Sequence, residues 1–382
     1  MEKSKVAREQ QIAVFGESGS GKTVLISSFY GHALEPHLMK DSLFNVVADD
    51  AAQSVQLHQN YLGMRDSANL PMGTRFSATP YAFSIKRKES DLWTKKSGAS
   101  EDLRLIWHDY PGEWFSREPN GADETQRRLD TFKSLLGSDV ALLLIDAQKL
   151  LDNSGNEERY LKSLFTNFRM RLQNLKQDLL VDEKPLVNFP RIWMMALSKS
   201  DLVPNLDVVG LRDLVIGKAG GELVELRNAL AALVESNDAL SVGEDFVLLS
   251  SAKFEPGKIE VAERVGLDLL LPIAAMLPFS RHIKWAQAMH KGGEVAEDLM
   301  SKAGPLAALI GGKIKIAGPL GVAVAFVAPR IADIASKMVG EQLANLNRKA
   351  VAKHEFLATT LTGFQLKLDK AVEEKVLLRS LK

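Results

Sequence analysis

The stretch GESGSGKT, Gly16 to Thr23, puts three glycines and a lysine between the apolar run IAVF and the run VLISSFYGHAL. A turn this rich in glycine lets the backbone wrap closely and aim consecutive N–H groups at one point. At the start of a helix that point attracts an anion, because the first N–H groups lack partners and the helix dipole is positive there. The spacing is G-x-x-x-x-G-K-[ST], carried by Gly16, Gly21, Lys22 and Thr23. It predicts a phosphate loop spanning Gly16, Glu17, Ser18, Gly19, Ser20 and Gly21, with Lys22 reaching the β- and γ-phosphates and the Thr23 hydroxyl on Mg²⁺.

A phosphate loop does not choose a base, but three later segments bear on that choice. In HDYPGEWF, Asp109 ends an apolar run and Gly112 follows three residues later. A carboxylate there can hold Mg²⁺ through water, and a glycine N–H can approach the last phosphate and sense its presence. In ALSKSDL, Ser198, Lys199 and Asp201 follow RIWMMAL. The Asp201 carboxylate offers two acceptors, matching the adjacent N1–H and N2–H₂ donors of guanine that adenine lacks. The aliphatic stem of Lys199 would lie along the base. In LLSSAKFE, Ser251, Ala252 and Lys253 follow the last apolar run, and the Ala252 N–H could donate to guanine O6. The four segments occur in order at the ends of expected strands, where an open α/β sheet binds ligands. Together they point to GTP and GDP as ligands.

Strand-like runs alternate with helical patterns through the first two-thirds of the 382 residues: QIAVF, YAFSIKR, LRLIWHD, DVALLLIDA, RIWMMAL and DFVLLS. YAFSIKR and LRLIWHD are expected to form a hairpin. DVALLLIDA reads as a strand buried on both faces. Leu161, Leu164, Phe165, Phe168, Leu172, Leu175 and Leu179 recur at helical spacing. Such alternation predicts a mostly parallel sheet covered by helices on both faces. After about residue 278 strand signals stop, so the expected division is 1–278 for the nucleotide domain and 279–382 for an all-helical domain. The 31–72 connection reads as an insert that serves a partner or the particular family.

The segments named so far resemble the P-loop GTPases of the Ras-like and translation-factor (TRAFAC) class, and DYPGEWF is similar to the YcjX-like branch of bacterial GTPases. The resemblance covers residues 6–277. It implies a Ras-like fold, GTP and Mg²⁺, and switching between GTP- and GDP-bound shapes. It also implies a switch threonine just before YAFSIKR that meets Mg²⁺ and the γ-phosphate. Thr74 is preferred over Thr79, which lies too close to the strand to move, though both stay open. Glu113 stands where Ras-like members often carry a water-orienting glutamine. A carboxylate there can accept from water but cannot donate to phosphate, so slow intrinsic hydrolysis is expected. Catalytic roles thus fall on Lys22, Thr74 and Glu113, and metal binding on Thr23, Thr74 and Asp109. Ser198 replaces the family's usual Asn or Thr, and Gly19 replaces the asparagine of the potassium-activated subgroup. His108, beside Asp109, is expected to be packed rather than catalytic.

Lys plus Arg and Asp plus Glu number 48 each, so no overall basic field points to nucleic acid. With no cysteine, thiol chemistry and disulfides are excluded, which fits a cytoplasmic location. The charged N-terminal decapeptide shows no secretory signal. The Gly/Ala/Pro-rich segment 303–329 is expected to be a buried helical pair, with a peripheral membrane contact or a partner groove as alternatives. Its uncharged part, 316–329, is too short to span a bilayer. Besides guanine nucleotide, a protein partner is expected at the switch regions or C-terminal helices, and the last helix can serve a homo-oligomer. Two other readings stay open: a GTP-binding interaction or assembly module with negligible turnover, and a dynamin-like membrane-associated GTPase.

Overall fold

The computed structural model describes residues 8–42, 44–71, 80–87, 103–109, 111–115, 119–180, 184–235, 239–255, 257–288, 295, 297, 314–315, 323–324 and 353–380. The strands are β1 (Arg8–Phe15), β2 (Phe44–Ala48), β3 (Tyr81–Arg87), β4 (Leu103–Asp109), β5 (Val140–Asp146), β6 (Ile192–Ser198), β7 (Ser241–Leu249), β8 (Lys253–Glu255), β9 (Lys258–Glu260), the two-residue pair β10 (Ile314–Lys315) and β11 (Ala323–Val324), and β12 (Leu377–Leu378). The helices are α1 (Lys22–Ala33), α2 (Pro36–Asp41), α3 (Ala51–Ser67), α4 (Ala122–Leu135), α5 (Ala147–Asp152), α6 (Glu157–Leu179), α7 (Val208–Ala231), α8 (Leu270–Ala288) and α9 (Lys353–Glu373).

Eight strands form one sheet in the order β12-β7-β6-β5-β1-β4-β3-β2. The pairings β7-β6, β6-β5, β5-β1 and β1-β4 are parallel. β3 is antiparallel to β4, with Tyr81 opposite Trp107, so the expected hairpin forms. This is an α/β fold with a mostly parallel sheet. The central strands are apolar throughout 12–15, 140–145 and 192–197 because each of these residues meets one of two cores. In β5, Val140, Leu142 and Leu144 face α1 and α8, while Ala141, Leu143 and Ile145 face α4, α6 and α7. β1 and β6 divide in the same way, with Ile12 and Val14 against Ala13 and Phe15, and Met194 against Trp193 and Met195. Period-2 alternation thus supplies both helix layers from one run.

The α6 stripe buries Leu161, Leu164, Phe165, Phe168, Leu172 and Leu179, as its spacing requires. α7 runs through one residue with non-helical backbone, Ala219 (φ −144°), near Gly217, Gly220 and Gly221. Residues 31–72 hold α2, β2 and α3, none of which the sequence reading foresaw. α3 buries only Leu57, Tyr61 and Met64, a stripe too narrow to stand out. β2 is five residues long.

The expected boundary at 278 falls inside α8, which continues through Pro278. Beyond it the chain holds α9, but it is not all-helical as expected. β10 pairs antiparallel with β11 inside the segment 303–329, where the sequence reading expects a helical pair, and the region does not stand apart from the sheet. Leu361, Phe364 and Leu368 of α9 lie in the same apolar cluster as Ile12 and Leu142. β12 then adds an antiparallel edge strand to β7, with Leu377 opposite Val247. A buried ion pair fastens this arrangement: Arg281 of α8 donates to Asp245 of β7 at 2.5 and 2.7 Å, their side chains 3% and 0% exposed. Asp245 also accepts from the Ser241 hydroxyl and the Ser380 N–H. Among the described residues no helix is long and apolar enough to cross a membrane. Most of segment 303–329 lies outside the described residues.

Removing one member of such a pair leaves the other buried and uncompensated, a loss of about 3–5 kcal/mol. Arg281→Met should therefore lower unfolding free energy in urea by that order, and Arg281→Met with Asp245→Leu should lower it less. A double variant as unstable as the single one would contradict the pairing.

Candidate functional site

β1 ends in Phe15, whose ring sits against Phe132, Phe168 and Trp193 at centroid distances of 5.8, 5.2 and 5.4 Å. This aromatic nest fixes the point from which the glycine-rich loop departs. Gly19 and Gly21 adopt φ of 81° and 90°, a region costly for residues bearing Cβ. Gly21 is the N-cap of α1, which leaves the positive end of the helix without a side-chain cap. Ser18 and Gly19 are exposed, while Ser20 is buried with its Oγ lacking a hydrogen-bond partner. Gly16 is buried against Leu144. Lys22 arches back across the loop, its Nζ donating to the carbonyls of Gly16 (2.8 Å) and Glu17 (3.1 Å). Burial lowers its pKa, and the nearby Asp109 and Glu17 carboxylates oppose that shift.

Asp109 is the last residue of β4, paired in register with Val14 of β1. The residue keeps some surface, yet its Oδ1 is enclosed with no hydrogen-bond partner. Burial pushes its pKa up to about 6, with Lys22 pulling the other way. An enclosed carboxylate oxygen beside a phosphate loop fits a divalent cation, which would supply the missing partner. Thr23 is the second residue of α1, directly after Lys22. The donor set of Thr23 and Asp109 therefore suits Mg²⁺. Thr74 and Thr79 lie outside the described residues.

Gly112 starts a 3-10 turn, Gly112–Phe115, packed hard on the phosphate loop: a Cβ there would stand 2.4 Å from Ser18 N and 2.5 Å from Glu17 C. Glu113 is half-exposed on this turn. Trp114 is buried in the core beneath it, with the Arg128 guanidinium 5.5 Å from its ring centroid. Arg128 in turn binds Glu124. His108 is packed as expected: Nε2 lies 3.1 Å from Gln11 Oε1, and burial holds its pKa down at about 4.

On the other side of β5, Ser198 ends β6 and its Oγ donates to Ile145 O at 3.2 Å. Lys199 follows in the left-handed region (φ 55°), and Asp201 sits in the 3-10 turn Ser200–Leu202. Asp201 Oδ1 accepts from the Ser250 hydroxyl at 2.6 Å, and Oδ2 accepts a longer bond from Phe254 N at 3.3 Å. Ser251 and Ala252 are buried beside it. Lys253 departs from this group: it opens β8 and pairs with Glu255 at 3.0 Å.

The sequence reading missed Asp146, Lys149, Tyr160 and Ser250. Asp146 ends β5 and caps α5 by accepting from Gln148 N, while its Oδ2 meets Lys199 Nζ at 2.8 Å. Lys149 on α5 pairs with Glu17 at 2.6 Å. Tyr160 OH accepts from Asp146 N at 2.9 Å. The available signal was a carboxylate directly after six apolar residues, Val140 to Ile145.

The family model of Double-GTPase 2 matches residues 10–182, under half of the chain. No curated protein sequence matches it. Among solved structures, the Ski7 GTPase-like domain of S. cerevisiae bound to GTP is 16% identical, with 64% of this chain and 43% of that chain aligned and a TM-score of 0.29. The chain thus spans less than half the length of that relative. The cytosolic domain of the T. maritima FeoB iron transporter, in a GDP form, is 11% identical over 97% of this chain and 86% of that one, with a TM-score of 0.26. The Roco2 protein of Methanosarcina barkeri bound to GDP is 10% identical over 98% and 95%, with a TM-score of 0.23.

The contact between Gly112 and the loop is backbone against backbone, so an added methyl cannot be absorbed by a flexible side chain. Gly112→Ala should cost about 1–3 kcal/mol of stability. Amide exchange at Glu17 and Ser18 should accelerate with it. Unchanged exchange at those two amides would contradict the packing.

Proposed function

We propose that the chain is a Mg²⁺-dependent GTP-binding and GTP-hydrolysing switch of the P-loop GTPase class, close to its YcjX-like branch, with slow intrinsic turnover. One observation carries the reading. The phosphate loop, Asp109 with Gly112, the Asp201 turn and the Ser251–Ala252 corner all open from the C-terminal ends of neighbouring parallel strands β1, β4, β6 and β7. Connections leave β1 toward β4 on one side, while β5 lies on the other, which makes this the switch point where such sheets bind ligands.

The roles follow from the side chains. Loop N–H groups and Lys22 take the β- and γ-phosphates, and Lys22 exchanges its two loop carbonyls for phosphate oxygens. Thr23 and Asp109, with Thr74, would hold Mg²⁺, which supplies charge neutralisation across the phosphates. Gly112, pressed on the loop, is placed to report the last phosphate to the Trp114 turn. Asp201 reads guanine through the lone pairs that Ser250 and Phe254 leave open. Glu113 puts a carboxyl side chain, which cannot donate to the γ-phosphate as a glutamine amide can, on the turn beside the phosphate loop, which favours slow cleavage. The same residue supports the second reading, a GTP-binding interaction module with negligible turnover. Protein partners at the switch turn or at α9, a peripheral membrane contact through 303–329, homo-oligomerisation and a cytoplasmic location belong to the same proposal.

Two measurements test it. Single-turnover GTP cleavage with Mg²⁺ should run well below the roughly 1 s⁻¹ floor of ordinary enzyme turnover. A rate at or above that level would refute slow hydrolysis. Replacing the Asp201 acceptor with an amide should exchange the base. Asp201→Asn should lose about 1–3 kcal/mol of GDP affinity and gain affinity for xanthosine diphosphate, read by calorimetry. Equal binding of ADP and GDP by the unaltered protein would remove guanine from the assignment.

A further inference from the structure

The base-reading loop holds one of the three non-glycine residues with positive φ among the described residues, Lys199 at φ 55° and ψ 38°. A side-chain-bearing residue in that region is strained and persists only where its surroundings over-determine it. Two groups hold it here. Ser198, the preceding residue, is tied to Ile145 O. The Lys199 ammonium is tied to Asp146 Oδ2 at 2.8 Å, with the Asp146 side chain only 4% exposed.

Asp146 is itself fixed at three points. Its Oδ1 caps α5 through Gln148 N, its N–H donates to Tyr160 OH, and its Cα stands in register with Ser198 across β5 and β6. A carboxylate so anchored fixes where the lysine stem runs. It also fixes the turn that presents Asp201 two residues later.

We propose that Asp146 is the positioning residue for base selection: by pinning Lys199 it sets the Asp201 turn against guanine, without touching the base itself. This rests on the guanine-nucleotide reading above. One turn of α5 further on, Lys149 makes a separate ion pair to Glu17 of the phosphate loop. The β5–α5 corner therefore reaches both ends of the nucleotide site through different carboxylates. Damage to the corner can be told apart by which end it affects.

The test uses the full chain and three probes: GDP, ADP and inorganic tripolyphosphate, titrated at fixed Mg²⁺. Asp146→Asn keeps the shape and the α5 cap but removes the charge-assisted bond. It should weaken GDP by roughly tenfold to a hundredfold, lower the guanine-to-adenine ratio accordingly, and leave tripolyphosphate affinity unchanged. Lys149→Met should leave that ratio unchanged. If the Asp146 variant melts early, Lys199→Gln breaks the same pair from its exposed end and should lower the same ratio. Asp146→Asn with an unaltered ratio, in a wild-type chain that prefers guanine, overturns the positioning role alone. So does an equal loss for all three probes, or an equal drop in ratio with Lys149→Met, since either marks general loosening of the corner. A wild-type chain with no guanine preference overturns the guanine reading and this inference with it.

Discussion

A strand covered by helices on both faces has no side chain to spare for chemistry except at its ends. β1, β5 and β6 are in that position: every residue from Ile12 to Phe15, from Val140 to Ile145 and from Ile192 to Leu197 is spent on one core or the other. The polar groups Gly16 onward, Asp146 and Ser198 begin where the apolar runs stop. Because the strands are parallel, those stopping points fall on one edge of the sheet. The site is a consequence of that direction, and its rigidity comes from what lies behind it, including the rings packed on Phe15.

What the sequence made legible follows the same logic. Runs saturated with apolar residues are visible because burial on two faces leaves no alternation to misread. The loops at their ends are visible because glycine, lysine and carboxylate spacing there is dictated by backbone approach and charge. Gly112 is an example: its need for no side chain is met by the Ser18 and Glu17 backbone, a contact 94 or 95 residues distant in sequence. The less legible elements are those whose stability is borrowed. α3 shows three buried residues over 17, and it holds because Tyr61 packs onto Gly31 of α1. β12 is two residues long and is a strand only because β7 offers an open edge.

Charge was the hardest feature to read in advance. Asp245 and Arg281 each look like ordinary solvated residues in their own segments, yet they meet in the interior and join a central strand, a helix and the last described residue, Ser380. Such a pair does more to choose an arrangement than to add net stability, since both charges must first leave water. Its effect is to hold α8 and the chain at Ser380 against β7. The compositional break near Pro278 therefore did not mark the end of the sheet: β12 returns to β7, and the core continues across the break.

The same distinction between stabilising and orienting applies at the phosphate loop. Lys22 is a buried cation whose burial alone would favour losing its proton, and Asp109 and Glu17 counter that tendency. Lys149 in turn neutralises Glu17 from outside the loop. Without Lys149, the Glu17 carboxylate would oppose an incoming polyphosphate at close range. With it, the loop presents a lysine whose hydrogen bonds to Gly16 and Glu17 carbonyls can be exchanged for stronger charge-assisted ones. Asp109, with an enclosed oxygen lacking a donor, has the complementary deficit. A ligand bringing both anionic oxygens and a divalent cation meets both needs at once, whereas either alone leaves one of them unsatisfied. That pairing of opposite deficits across the β1–β4 register, from Val14 to Asp109, is the physical basis for expecting nucleotide and Mg²⁺ to bind cooperatively.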